Sequence, residues 1–257
     1  MGQHWLEDQL TLESICRAAG LNKADTVLEI GPGRGSLTTE LLQRARRVVA
    51  VELDDNLALQ LSARYSDHNL EVVNQDILRF DLTSLPSDYK VVANIPYYLT
   101  STLLRVLAQS QNPPEIMVLL VQKEVAERIC AAAGRTSLLS VSVQLYYEAQ
   151  LGQIVPAKLF RPPPKVDSRV VILKRRTKTL LGQLSATDFF EVVKAGFSNR
   201  RKKLRSSISG GLAISKNQAD QLLKQAGIDG NLRAQNLSLK QWRDLAETWT
   251  MLKQNPK

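Results

Sequence analysis

Cysteine, histidine and aromatic residues are scarce in this chain of 257 residues, which has two Cys, two His and 5% Phe, Trp and Tyr together. Cys16 and Cys130 lie far apart and match no C-x-x-C pairing, so neither a disulfide framework nor a cysteine-type zinc site is supported. His68 falls in a polar loop and carries no assigned role; no metal is expected. Long apolar runs are missing as well. The longest clear one, Ile116 to Val121, is far short of the roughly 20 residues that span a bilayer, and Met1 opens onto polar Gly2-Gln3-His4 rather than a signal peptide. A soluble, cytoplasmic protein of a reducing compartment, with no membrane partner, is expected. Disorder, collagen and mini-protein scaffolds are excluded by a composition of 44% hydrophobic and 23% charged residues, enough for a full core and a small second domain.

What is abundant is positive charge, and its placement matters more than its total of +9. Residues 174–257 hold 17 Lys/Arg against 6 Asp/Glu, whereas residues 1–173 are slightly acidic, with 17 against 19. A basic excess confined to the last third suits a polyanion, nucleic acid before an acidic membrane surface. The same charge would also serve a merely solvated face.

Residues 26–175 alternate short apolar, β-branched runs with helical patterns, which predicts an α/β domain on a mostly parallel sheet. Seven strands are read near 26–30, 48–53, 70–74, 90–93, 116–121, 138–145 and 169–173. After Arg176 strand signals vanish. Ser215 with Gln218 and Ser238 with Gln241 have the S-x-x-Q spacing of a capping box, and Trp242, Leu245, Ala246 and Trp249 recur at helical spacing. The expected organisation is a catalytic domain over 1–176 and an all-helical domain over 177–257.

The first strand runs into Glu29-Ile30-Gly31-Pro32-Gly33-Arg34-Gly35 and then a helix, so Gly31 and Gly33 allow a tight turn with close backbone approach to a ligand. As a bare pattern the motif is weak. It lacks the third-glycine spacing of the dinucleotide fingerprint, which favours a smaller nucleoside over a pyrophosphate cofactor. Glu52 follows the second run, 21 residues after Gly31, where a carboxylate can accept both hydroxyls of a ribose; Asp76 follows the third run and Asn94 the fourth. Strand ends of a parallel sheet share one crevice, so polar residues at four successive ends converge. Each alone could simply terminate a strand or cap a helix.

The fourth signal, Asn94-Ile95-Pro96-Tyr97, is the most specific. The lone pair of an exocyclic purine amine is delocalised into the ring, so methylating it calls for acceptors that pull the nitrogen towards tetrahedral geometry. The Asn94 side-chain oxygen and a backbone carbonyl beside Pro96 can each accept one N–H, and no tuned general base is needed because the proton leaves after attack. Tyr97 would stack on a base swung out of its own stack.

On these residues the chain resembles the KsgA/RsmA family of ribosomal RNA adenine dimethyltransferases. Gly2-Gln3-His4-Trp5-Leu6 is similar to the family's opening G-Q-[NH]-F-L, EIGPGRG to its first cofactor motif, NIPYY to its catalytic N-[LI]-P-Y, and Phe160 to Ser168 to its F-x-P-x-P-K-V-D-S. It departs at Trp5, where Phe is usual, and in opening at Met1-Gly2, where members carry a preceding basic stretch. The resemblance implies a Rossmann-like seven-stranded methyltransferase domain with a small helical C-terminal domain. It implies S-adenosylmethionine as methyl donor, contacted by His4, Leu6, the Gly31 turn, Glu52, Asp76 and Asn94. Asn94, Pro96 and Tyr97 would be catalytic, with Phe160 as a second aromatic face on the target base. The implied reaction is dimethylation of two adjacent adenosines in a hairpin loop near the 3′ end of 16S ribosomal RNA, on the immature 30S subunit; nothing in the sequence demands a dimer, and a monomer is expected. The run Arg200-Arg201-Lys202-Lys203-Leu204-Arg205 would bind RNA, its charges facing outward from a helical segment anchored by Phe197, Leu204 and Ile208. A large-subunit methyltransferase conferring antibiotic resistance shares NIPY, but the P-P-P-K-V-D-S form and the tail favour the small subunit. A non-catalytic RNA-binding factor is disfavoured by the intact NIPY, and an NAD-dependent oxidoreductase rests on glycine spacing alone.

Overall fold

The computed structural model describes residues 4–66, 68–96 and 99–254. The chain divides into two compact units, Met1–Glu127 with Tyr147–Arg175, and Arg128–Tyr146 with Arg176–Lys257. The single boundary read at 176/177 therefore omits an excursion: residues 128–146 leave the first unit, join the second and return.

The first unit opens with β1 (Trp5–Leu6) and α1 (Gln9–Ala18), followed by β2 (Thr26–Ile30), α2 (Ser36–Arg44), β3 (Arg47–Glu52), α3 (Asp55–Arg64) and β4 (Leu70–Asn74). Next come β5 (Lys90–Asn94), α4 (Thr100–Gln109), β6 (Ile116–Gln122), α5 (Lys123–Ile129), β7 (Tyr147–Val155), β8 (Phe160–Arg161) and β9 (Ser168–Arg175). Seven of these strands form one sheet in the order β4-β3-β2-β5-β6-β9-β7. Pairings among β2 to β6 are parallel, and β9 runs antiparallel to both β6 and β7. Central strands such as β3 (RVVAVE) and β6 (IMVLLVQ) are buried on both faces, the reason their sequences are continuous rather than alternating. From β2 the chain steps outward to β3 and β4, then returns to lay β5 on the other side of β2. The switch point thus falls between the carboxyl ends of β2 and β5, where a parallel sheet opens its crevice.

The second unit is helical: α6 (Leu138–Gln144), α7 (Ala186–Phe197), α8 (Leu204–Gly211), α9 (Lys216–Gln225) and α10 (Leu239–Gln254). Both predicted capping boxes form. The Gln218 N–H donates to Ser215 Oγ at 3.2 Å while the Ser215 N–H donates to Gln218 Oε1 at 2.9 Å, and Ser238 with Gln241 repeats the pair at the same distances. Trp242 is wholly buried at the centre, against Phe197 at 5.3 Å between ring centroids. The space for its indole exists because residue 196 has no side chain; a Cβ there would lie 2.3 Å from Trp242 Cη2. Gly196→Ala is therefore expected to destabilise this unit by about 1–3 kcal/mol, the usual cost of overpacking, and urea unfolding followed by tryptophan fluorescence measures it.

Two sequence readings are corrected. Residues 138–145, read as a strand, form helix α6, because Ser137 and Ser140 cap one another: the Ser140 N–H donates to Ser137 Oγ at 3.2 Å and the Ser137 N–H to Ser140 Oγ at 2.7 Å. Val141, Val143 and Leu145, which alternate in the sequence, belong to this helix and its cap and are buried, Val141 and Leu145 in the core of the second unit. The seventh strand is instead β7, whose polar residues suit the sheet edge where it pairs only with β9. The run 200–203 lies on no helical face. It is the exposed turn between α7 and α8, and Leu204 and Ile208 anchor α8 behind it.

Candidate active site

At the end of β2 the chain passes through Gly31, Gly33 and Gly35 at φ of 63°, 59° and 83°, values that side chains strongly disfavour. Gly33 is also tightly covered, since a Cβ there would sit 2.9 Å from Trp5 Nε1. The turn is held against the end of β3. The Gly31 N–H donates to the Val51 carbonyl at 2.9 Å, and the Gly33 N–H donates to Glu52 Oε2 at 3.0 Å. The other oxygen of Glu52, Oε1, accepts the Asp54 N–H at 3.0 Å, so the carboxylate at the end of β3 is held in one orientation by main-chain donors. Each of its oxygens keeps a second lone pair for a ligand hydroxyl. Beyond β4, Asp76 Oδ1 accepts the Leu78 N–H at 2.9 Å and caps a short turn.

Asn94 ends β5 across the switch point from Gly31. Its Nδ2 donates to the His4 carbonyl at 3.2 Å, and the His4 ring, through Nδ1, is hydrogen-bonded to the Pro162 carbonyl at 2.7 Å. The Pro96 carbonyl accepts the Leu99 N–H at 3.0 Å. These elements enclose a cavity of about 600 Å³. Gly31, Gly33, Glu52, Asp76, His4, Leu6, Asn94 and Pro96 all line it. Eight residues named from sequence thus meet in one place. Tyr97 lies outside the described residues. Phe160 is not brought to the cavity: it pairs with Leu6 in the β1–β8 ladder and is fully buried in the core of the first unit. Arg200, Arg201, Lys202 and Lys203 are exposed in the second unit, where Lys203 Nζ donates to Asn231 Oδ1 at 2.8 Å; Arg205 is half-buried, 3.7 Å from Asp220.

Sequence reasoning missed Glu29, although it stands in the quoted glycine motif. It lines the cavity, is 1% exposed, and accepts a hydrogen bond from Thr38 Oγ1 at 2.7 Å. An acidic residue within the apolar strand TVLEI was the signal that could have found it. Burial pushes its carboxyl up to about 8, with the charge of Glu52 adding to the rise and the Thr38 hydroxyl opposing it. The folded chain therefore holds a proton that an ordinary Glu, near 4.5, has released, so stability from this group is complete below about 4.5 and is lost as pH rises through about 8. Glu29→Gln, with no proton to lose, is expected to flatten the fall of the urea midpoint across that window; an unaltered slope would assign the titration to another group. Cys16, by contrast, has its thiol raised to about 12 by burial and offers no nucleophile.

A nucleoside-sized cavity at the switch point of a seven-stranded sheet with one reversed strand, β9, next to the edge defines a Rossmann-like methyltransferase domain, and solved structures agree. The chain is similar to the 23S rRNA methyltransferase ErmE, with a TM-score of 0.77, 31% identity, and 95% of this chain and 98% of that one covered. It is similar to a dimethyladenosine transferase from Plasmodium falciparum at a TM-score of 0.81 and 26% identity, with 97% of each chain covered. Residues 1–250 match the family Ribosomal RNA adenine dimethylase, and the chain belongs to that family. Among curated relatives, the Ribosomal RNA small subunit methyltransferase A of Dehalococcoides mccartyi strain 195 is 41% identical over 254 residues, covering 97% of this chain and 87% of the relative.

Proposed function

We propose that this enzyme dimethylates the N6 amines of two adjacent adenosines in the hairpin loop near the 3′ end of small-subunit ribosomal RNA. It acts as a cytoplasmic monomer on the immature 30S subunit and takes S-adenosylmethionine as donor, without a metal. The observation that carries the reading is the Asn94 amide. Its NH2 end is engaged by a carbonyl, which directs Oδ1 to accept from the substrate. The donor supplies an electrophilic methyl carbon. Glu52 would hold its ribose, Asp76 its adenine, and the Gly31–Gly33 turn with His4 and Leu6 the remainder. This set fits: the carboxylate of Glu52 is preoriented, and the turn presents bare backbone to the cavity. Asn94 Oδ1 and the second lone pair of a carbonyl at Pro96 would accept the two N–H bonds of the amine and aim its lone pair outward. Tyr97 and Phe160 remain proposed as base-stacking faces, Phe160 on condition that it leaves the core.

The choice of the small subunit is supported by 41% identity to the relative named for it, against 31% to the large-subunit enzyme. Charge supports RNA. Arg200 to Lys203 precede the first turn of α8, which holds no acidic residue, so they oppose the helix dipole. A phosphate would neutralise both. Mass spectrometry of nucleosides, with primer extension along both ribosomal RNAs after treatment with labelled donor, tests the proposal. Dimethyladenosine and paired stops in the small-subunit RNA are expected; a stop confined to the large-subunit RNA would defeat it.

A further inference from the structure

We propose that the segment His4–Leu6 positions the Asn94 amide for methyl transfer, the His4 carbonyl choosing which end of that amide faces the substrate and the Trp5–Arg34 stack holding the carbonyl in place. The inference rests on the reading of Asn94 as an acceptor. A primary amide can present either its oxygen or its NH2 to a bound amine, and only the oxygen helps. A main-chain carbonyl can accept but never donate, so the 3.2 Å contact from Nδ2 to the His4 oxygen selects one orientation. Turning the amide over would set two oxygens against each other.

The carbonyl is itself restrained on three sides. The His4 ring is tied to the Pro162 carbonyl at 2.7 Å, and β1 pairs with β8 through Trp5 with Arg161 and Leu6 with Phe160. Trp5 lies against Gly33 so closely that a methyl group there would collide with its indole. The Arg34 guanidinium sits 3.9 Å from the centre of the Trp5 ring, within range of cation–π attraction, and the Arg34 carbonyl accepts from Arg64 Nη1 at 2.9 Å. A contact path therefore runs from α3 through the glycine turn to Trp5, His4 and Asn94. The role of Trp5 is to keep the neighbouring carbonyl where the amide needs it.

The test is a double-mutant cycle read in single turnovers, with donor affinity measured separately. Trp5→Ala is expected to lower the transfer rate at saturating donor and RNA by about 10-fold or more, as small misplacements of a reacting group do. Trp5→Phe, which keeps a ring under Arg34, should recover the rate to within about 3-fold. In an Asn94→Ala background, Trp5→Ala should change the rate by less than about 2-fold, because the group it positions is gone. Arg34→Ala, an exposed substitution that leaves the core intact, should show a smaller loss that also disappears in that background. Equal losses in both backgrounds, or a change in donor affinity with no change in rate, would overturn the positioning role. If Asn94→Ala alone leaves the rate unaltered, the parent reading fails and this one with it, an outcome distinct from additivity.

Discussion

Asn94→Ala is expected to lower turnover by about 100-fold or more while donor affinity stays nearly constant, as for an acceptor whose bonds strengthen in the transition state. The physical reason is geometric. Oδ1 is one of two oxygens proposed to hold the amine, and its orientation is set before substrate arrives by the His4 carbonyl. Of the groups assigned to the donor, Glu52 is held by the Gly33 and Asp54 N–H groups and Asp76 by that of Leu78, and His4 meets the Asn94 side chain through a carbonyl that the substitution leaves in place, so calorimetry with donor should change little. Rapid-quench transfer to immature small subunits supplies the rate. A variant with unchanged turnover would remove Asn94 from the chemistry, and one that lost donor binding would leave it with the donor contact alone.

Replacing Arg200, Arg201, Lys202 and Lys203 together by Ala should weaken RNA binding severely and flatten its dependence on salt, by about one unit of log–log slope for each phosphate no longer neutralised. These side chains are exposed in a turn, and the helix behind them is held by buried Leu204 and Ile208, so the second unit should keep its thermal midpoint. The weakening should be uniform across RNA sequences, since cations on phosphates orient the RNA without reading bases. Donor affinity should not respond. An unchanged slope, measured by filter binding across a salt series, would reduce the tract to a solvated surface.

Much of the architecture was legible because its signals are local. Capping pairs such as Ser215 with Gln218 act within one turn, and the glycines at 31 and 33 are needed wherever the backbone turns left-handed. Buried parallel strands announce themselves as unbroken apolar runs. The convergence of the site then followed from the placement of polar residues at strand ends. The misread segment shows the limit of that approach: Leu138–Gln144 alternates like a strand, and the polar Tyr147–Val155 alternates weakly, so only the Ser137–Ser140 cap and the pairing with β9 separate them.

The sequence by itself marked out the residues proposed for the donor, the proposed acceptor Asn94 and the basic tail, because each is a matter of residue type at a fixed distance from a strand or helix end. Tertiary structure alone decided the rest. It placed Phe160 in the core, gave residues 128–146 to the second unit, kept Glu29 protonated by burial, and set the Asn94 amide against a carbonyl 90 residues away. Those outcomes depend on which distant groups come together and on how far water is excluded, and neither quantity is written in any short stretch of chain.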